Sequence, residues 1–98
     1  MEAQKFDPGS VFFWPGARKA LPEEVLQSCL ARHAHGDWGD VTPAVKEEND
    51  QALKDGWTLL LSGYPVNGHR LTIISEIFCG HPITTVALTS ELGGKEAS

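Results

Sequence analysis

The sequence predicts an α+β domain, with two or three short helices packed on one face of a three- to four-stranded antiparallel β-meander. Three observations predict it. Apolar residues recur with the helical period up to about residue 55, the period switches to two after Gly56, and Asn67-Gly68 separates two alternating runs. Ninety-eight residues make one domain, 1–98, with an ordered core over about 6–92. A chain of this length buries about 65% of its unfolded surface, enough to fold without a metal or disulfide staple.

Taken in order, residues 1–5 read as a loose start, and Asp7-Pro8-Gly9-Ser10 is a turn. Val11-Phe12-Phe13-Trp14 is a short apolar strand, and Phe12, Phe13, Trp14 and Trp57 read as core. Pro15-Gly16 breaks it, and Ala17–Leu21 forms about one helical turn. Pro22 suits the first position of the next helix, with Glu23 and Glu24 at the positive end of its dipole. Val25, Leu26, Cys29, Leu30 and His33 then make an apolar stripe that ends before Gly36.

Thr42 as N-cap, Pro43 at the first position and Gly56 past the end bound the best-signalled helix. Val45, Asn49, Ala52 and Leu53 share one of its faces, so Asn49 predicts a half-buried amide bonded to a neighbouring loop. Trp57–Tyr64 and Arg70–Ile77 alternate as strands around a type I′ turn, Phe78–Pro82 is a loop, and Ile83–Leu88 is a third strand. Links this short require antiparallel neighbours. Residues 93–98 read as a frayed tail.

Composition excludes several functional classes. The net charge of −5 argues against a nucleic-acid binder, because such domains carry a basic face. No apolar leader opens the chain and no apolar run approaches the length of a membrane span. Cys29 and Cys79 have no framework spacing and read as reduced thiols, so a cytoplasmic location is expected. No glycine-rich phosphate loop and no nucleophile elbow are present, and no cofactor is expected.

The densest chemistry lies in Arg32-His33-Ala34-His35-Gly36-Asp37-Trp38-Gly39-Asp40. His33, His35 and Asp37 have ligand chemistry for a divalent metal, but a bare His-x-His is a weak signal. The competing account is a hinge between helices, in which Gly36 and Gly39 take positive φ and Trp38 plugs the core. Cys79 and His81, two positions apart in a loop, are the nearest approach to a nucleophile and base.

Together with Pro15-Gly16-Ala17, that stretch, Glu48-Asn49-Asp50-x-Ala52-Leu53-x-x-Gly56, Leu60-Leu61-Ser62-x-Tyr64 and Thr84-Thr85-Val86 resemble one family. It is a group of short, uncharacterised bacterial proteins met on plasmids and integrated mobile elements. The resemblance spans about residues 6–92 and implies a shared fold without an established activity. Glu76 is retained, whereas the Asp-Arg pair that follows it in the family and the family's terminal tyrosine have no counterpart here.

Two functional expectations result, ranked above a third, a metal-dependent or metal-stabilised domain on His33, His35 and Asp37. The first is a small acidic module that binds a protein partner and inhibits or modulates a defence or nucleic-acid-processing system, through Asp37, Trp38, Asp40, Glu47, Glu48 and Asp50. The alternative is a small ribonuclease of the barnase–RelE type, with His33, Arg70, Glu76 and Thr85 as acid–base and phosphate-stabilising groups. Under either, an uncovered meander edge can pair with a second copy to give a homodimer.

Overall fold

The structure, a computed structural model, describes residues 4–92. Along the chain come β1 (Ser10–Phe13), α1 (Pro15–Ala20), α2 (Glu23–Ala34), α3 (Pro43–Asp55), β2 (Leu59–Val66), β3 (His69–Phe78) and β4 (His81–Leu88). A 3₁₀ turn over Thr89–Leu92 closes the described chain. The expected frayed tail at 93–98 and the first three residues of the expected loose start lie outside the described residues. Lys5 and Phe6 are not loose: the Lys5 N–H donates to the Ala34 carbonyl at 2.8 Å, and Phe6 is buried.

The four strands form one sheet in the order β1-β4-β3-β2. β2, β3 and β4 are the expected antiparallel meander. β1 corrects the expectation, because it runs parallel to β4, with Ser10 opposite Ile83 and Phe13 opposite Val86. The short-link rule governs only strands joined by short links. Between β1 and β4 lie three helices and two strands, ample chain for the crossover that parallel pairing needs. Two tight turns join the meander. Asn67 and Gly68 have φ of 50° and 82°, as a type I′ turn requires, and Cys79 and Gly80 repeat this with 52° and 80°. The second turn replaces the expected five-residue loop and extends β4 back to His81.

All three helices pack on one face of the sheet. On that face the strands present Leu60, Ser62 and Tyr64 from β2, Leu71, Ile73 and Ser75 from β3, and Thr84 and Val86 from β4, all buried. Ala17 and Leu21 around α1, and Leu26 and Cys29 of α2, join Tyr64, Leu71, Ile73 and Val86 in the main core. A second cluster of Phe6, Trp38 and Leu60 is packed by Val41, Ala52, Leu53 and Trp57. α3 starts as its sequence requires: the Val45 N–H donates to Thr42 Oγ1 at 3.2 Å, and Gly56 ends the helix with φ of 89°. Phe12 and Trp14 depart from the expected core. Strand alternation turns Phe12 outward, and it is 55% exposed, with Trp14 at 37%.

The free side of β2 is covered. Asn49 of α3 donates through Nδ2 to the Leu61 carbonyl at 2.8 Å and accepts from the Leu61 N–H at 3.3 Å. Two residues on, the Gly63 N–H donates to the Trp38 carbonyl at 3.1 Å and the Gly63 carbonyl accepts from the Asp40 N–H at 2.6 Å. Two residues further, Pro65 has no N–H to offer. A side chain, a loop and a proline thus occupy successive outward positions, and the expected pairing of a second copy along an open meander edge is not available on this side.

Candidate functional site: a buried histidine array and an exposed acidic helix face

His33 projects from α2 into the space between the two cores and is fully buried. Its Nε2 lies 2.9 Å from Ser75 Oγ, which lies 2.6 Å from Thr84 Oγ1, and the Thr84 hydroxyl donates to the Pro8 carbonyl at 2.7 Å. On the other side of the ring, Nδ1 lies 2.5 Å from Ser62 Oγ. Thr84 spends its proton on Pro8, so Ser75 donates to Thr84 and His33 Nε2–H donates to Ser75. Burial keeps the ring neutral, which leaves Nδ1 to accept from Ser62 and makes the ring the Nε2–H tautomer.

Phe6 and Trp38 close around it edge-on, with ring centroids 5.2 and 5.7 Å away. Burial in this setting lowers the His33 pKa from 6.5 to about 4. A serine within reach of a histidine is the geometry of an activated nucleophile. Here Ser62, His33, Ser75 and Thr84 are all 0% exposed, so the array braces α2, β2, β3 and β4 and meets no substrate.

The nine-residue stretch from Arg32 to Asp40 is a clasp. Arg32 grips Asp37 through Nε at 2.8 Å and Nη2 at 3.3 Å, and its guanidinium lies 4.6 Å over the Tyr64 ring. The hydrogen bonds from Arg32 hold the Asp37 carboxyl below its ordinary pKa. The Tyr64 hydroxyl donates to the Asp37 carbonyl at 2.5 Å, and burial raises its pKa. Gly36 and Gly39 have φ of 81° and 74°, as expected of a hinge. Trp38 is 3% exposed, and its Nε1–H donates to Asp50 Oδ1 at 2.8 Å. That bond, followed by one from Lys46, depresses the Asp50 pKa. Asp40 receives Arg70 twice, at Oδ2 from Nη1 at 3.2 Å and at its carbonyl from Nη2 at 2.5 Å.

Of the residues expected to bind a partner, Asp37, Trp38, Asp40 and Asp50 are thus engaged within the chain. Glu47 and Glu48 are not: both are exposed on α3 and make no hydrogen bond or ion pair among the described residues. With Ala44, Gln51 and Asp55 they form a solvent-facing stripe at helical spacing, opposite the buried Asn49. Ala44, Glu47, Glu48 and Gln51 line a shallow depression on it.

The ribonuclease candidates do not converge. His33 is buried on the helix-covered side of the sheet, whereas Arg70, Glu76 and Thr85 alternate onto the other side. The metal candidates do not converge either. The His33 ring is taken by two serines, His35 Nδ1 lies 2.7 Å from the Ala31 carbonyl, and Asp37 holds Arg32. Among the described residues no group of three or more His, Cys, Asp or Glu side chains is placed to hold a metal ion. Both thiols are free; Cys29 is buried, which raises its pKa, and Cys79 is exposed at the β3–β4 turn. No helix among the described residues is long and apolar enough to cross a membrane.

Sequence reasoning missed the partners of His33. The available signal was Ser62 and Ser75 standing among apolar residues on the inward faces of their strands, where a hydroxyl requires a buried partner. Comparison of the chain with protein-family models, with curated proteins and with solved structures finds no match.

Proposed function

We propose that the protein is a small acidic module that docks on a basic surface of a protein partner through the exposed stripe of α3, in the manner of an inhibitor or modulator of a nucleic-acid-processing or defence system. The observation that carries this reading is that Glu47 and Glu48 remain uncommitted while the other acidic residues of the expected surface serve the fold. The net charge of −5 supports it, since an acidic surface is steered toward a basic channel and competes there with nucleic acid.

The experiment is affinity capture of the tagged chain from its native host, with wild type beside Glu47→Lys/Glu48→Lys. The expected result is one stoichiometric protein that co-purifies with wild type, is released by salt, and is lost from the double variant. Capture of the same partner in equal yield by the double variant overturns the reading.

A further inference from the structure

Among the described residues the second face of the sheet carries no helix. All three helices lie on the other side, and the closing 3₁₀ turn reaches only one corner of this face, where Thr89 Oγ1 lies 2.6 Å from Thr72 Oγ1. The rest presents Phe12 from β1, Ile83 and Thr85 from β4, Ile74 and Phe78 from β3, and Leu59 and Leu61 from β2. Phe12, Leu59 and Phe78 are more than half exposed, and the other four are half-buried. An open apolar sheet face of this kind marks an interaction surface.

We infer that this face is covered by a second copy of the chain, related by a two-fold axis that crosses the strands at the level of Ile73. Two arguments select a second copy. The first is charge. The ionisable side chains that the strands turn to this face are Arg70 and Glu76 on β3, with His81 at the corner next to the Cys79-Gly80 turn. Arg70 and Glu76 stand on the same strand and the same face, three residues either side of Ile73, and are therefore about 20 Å apart. The two-fold axis lays β3 antiparallel over its copy and brings each Arg70 onto Glu76 of the other molecule, so one complementary contact is made twice. Arg70 spends two of its donors on Asp40 and keeps others to offer. Glu76 is exposed and has no partner within the described residues.

The second argument is the charge elsewhere. Two molecules of net charge −5 repel wherever their acidic surfaces meet. Stacked through the sheets, they meet on a face where the strands supply one Arg and one Glu, with Asp40 at its edge beside Arg70, and the α3 stripes lie on opposite outer sides of the pair. The size of the face sets the strength. Three strands of about seven residues and the four-residue β1, at about 4.8 Å between strands and about 3.3 Å per residue, give roughly 400 Å² a side, in the range of weak, transient association. The dimer is therefore a reversible one, with helices outside and two stacked sheets inside. It is independent of the α3 docking surface and leaves that surface free.

The test is sedimentation equilibrium of the full chain from low to high micromolar concentration, with circular dichroism to establish folding of each variant. Wild type is expected to pass from 10.6 kDa toward twice that mass. Glu76→Lys, at an exposed side chain without internal bonds, is expected to weaken association about tenfold or more by placing a cation on Arg70. Arg70→Glu is expected to weaken it similarly. An equimolar mixture of the two variants is expected to recover association, because a mixed dimer again has opposite charges at both contacts. A wild type that stays at monomer mass throughout overturns the inference. So does a Glu76→Lys variant that associates as tightly as wild type, whether or not Arg70→Glu folds.

Discussion

Asn49 and Leu61 are bonded twice, side-chain amide to main-chain amide, so that a helix residue takes the place of a neighbouring strand at the free side of β2. The Leu61 N–H needs an acceptor and its carbonyl needs a donor, which fixes the orientation of the Asn49 amide. It also explains a polar residue on the apolar side of α3: the site demands a group that both donates and accepts.

Asn49→Ala removes both bonds and leaves two part-buried main-chain groups unpaired, at an expected cost of about 2 kcal/mol. Asn49→Asp is expected to cost more, because a carboxylate then faces the Leu61 carbonyl. Urea unfolding of the three proteins measures this. Equal midpoints for wild type and Asn49→Ala would remove the edge-sealing role.

The His33 array predicts acid sensitivity in a defined window. Its folded pKa, about 4, is below the ordinary 6.5, so between those values the unfolded chain binds the extra proton. Stability is fully present above pH 6.5 and is lost as pH falls toward 4. The expected loss between pH 7 and pH 5 is about 2 kcal/mol. Asp37 and Asp50 titrate lower, with their contribution present above their ordinary 3.8 and lost below it. His33→Leu is expected to be less stable at pH 7, since it takes away the ring nitrogens that bond the buried Ser62 and Ser75 hydroxyls, and to have a flat profile over pH 5–7. A variant as steep as wild type there would show that the slope belongs to another group.

Two glycines with positive φ separate backbone conformation from space. At Gly39 a Cβ would run into the Gly63 carbonyl oxygen and the Tyr64 ring, whereas at Gly56 nothing lies within 4 Å. Gly56→Ala is expected to cost about 1–2 kcal/mol, the conformational penalty alone. Gly39→Ala is expected to cost about 3 kcal/mol or more, because the bridge between Gly39 and Gly63 must open. Thermal unfolding midpoints that fall equally would contradict this.

Glu91 holds the two ends of the described chain together. Its carboxylate accepts from the Gly16 N–H at 2.6 Å, the Ala17 N–H at 3.1 Å and the Leu88 N–H at 2.9 Å. It thereby satisfies donors that the first turn of α1 cannot pair for itself. Glu91→Ala is expected to cost about 2 kcal/mol, and Glu91→Gln, which keeps one acceptor, less. Amide hydrogen exchange at Gly16 and Ala17 reports it directly, and unchanged protection there would refute it.

What the sequence disclosed depended on how local the cause was. Thr42, Pro43 and Gly56 mark the ends of α3 because capping is decided within a few residues, and Asn67-Gly68 marks its turn for the same reason. Asn49 announced a hydrogen-bonded amide, but its partner is the main chain of strand β2 at Leu61 rather than the expected loop, and it is buried rather than half-buried. The parallel place of β1 and the reach of Glu91 were illegible, because nothing near Ser10 or Gly16 encodes a contact 75 positions away. The pairing of Asp40 with Arg70, 30 positions away, was illegible for the same reason, whereas Asp37 with Arg32 and Asp50 with Lys46 are local pairs that their spacing of five and four residues could have shown.

The parallel union of β1 with β4 also orders the chain in time. The helices and the β2-β3-β4 hairpins close from near neighbours, whereas the links of the first strand, such as Thr84 to Pro8 across 76 positions, require nearly the whole chain to be present. Large loops close slowly and only after the local elements that shorten them have formed. The segment with Phe12 and Phe13 can therefore take its place in the sheet only once β4 is there to receive it. The first strand of the described chain closes against the last.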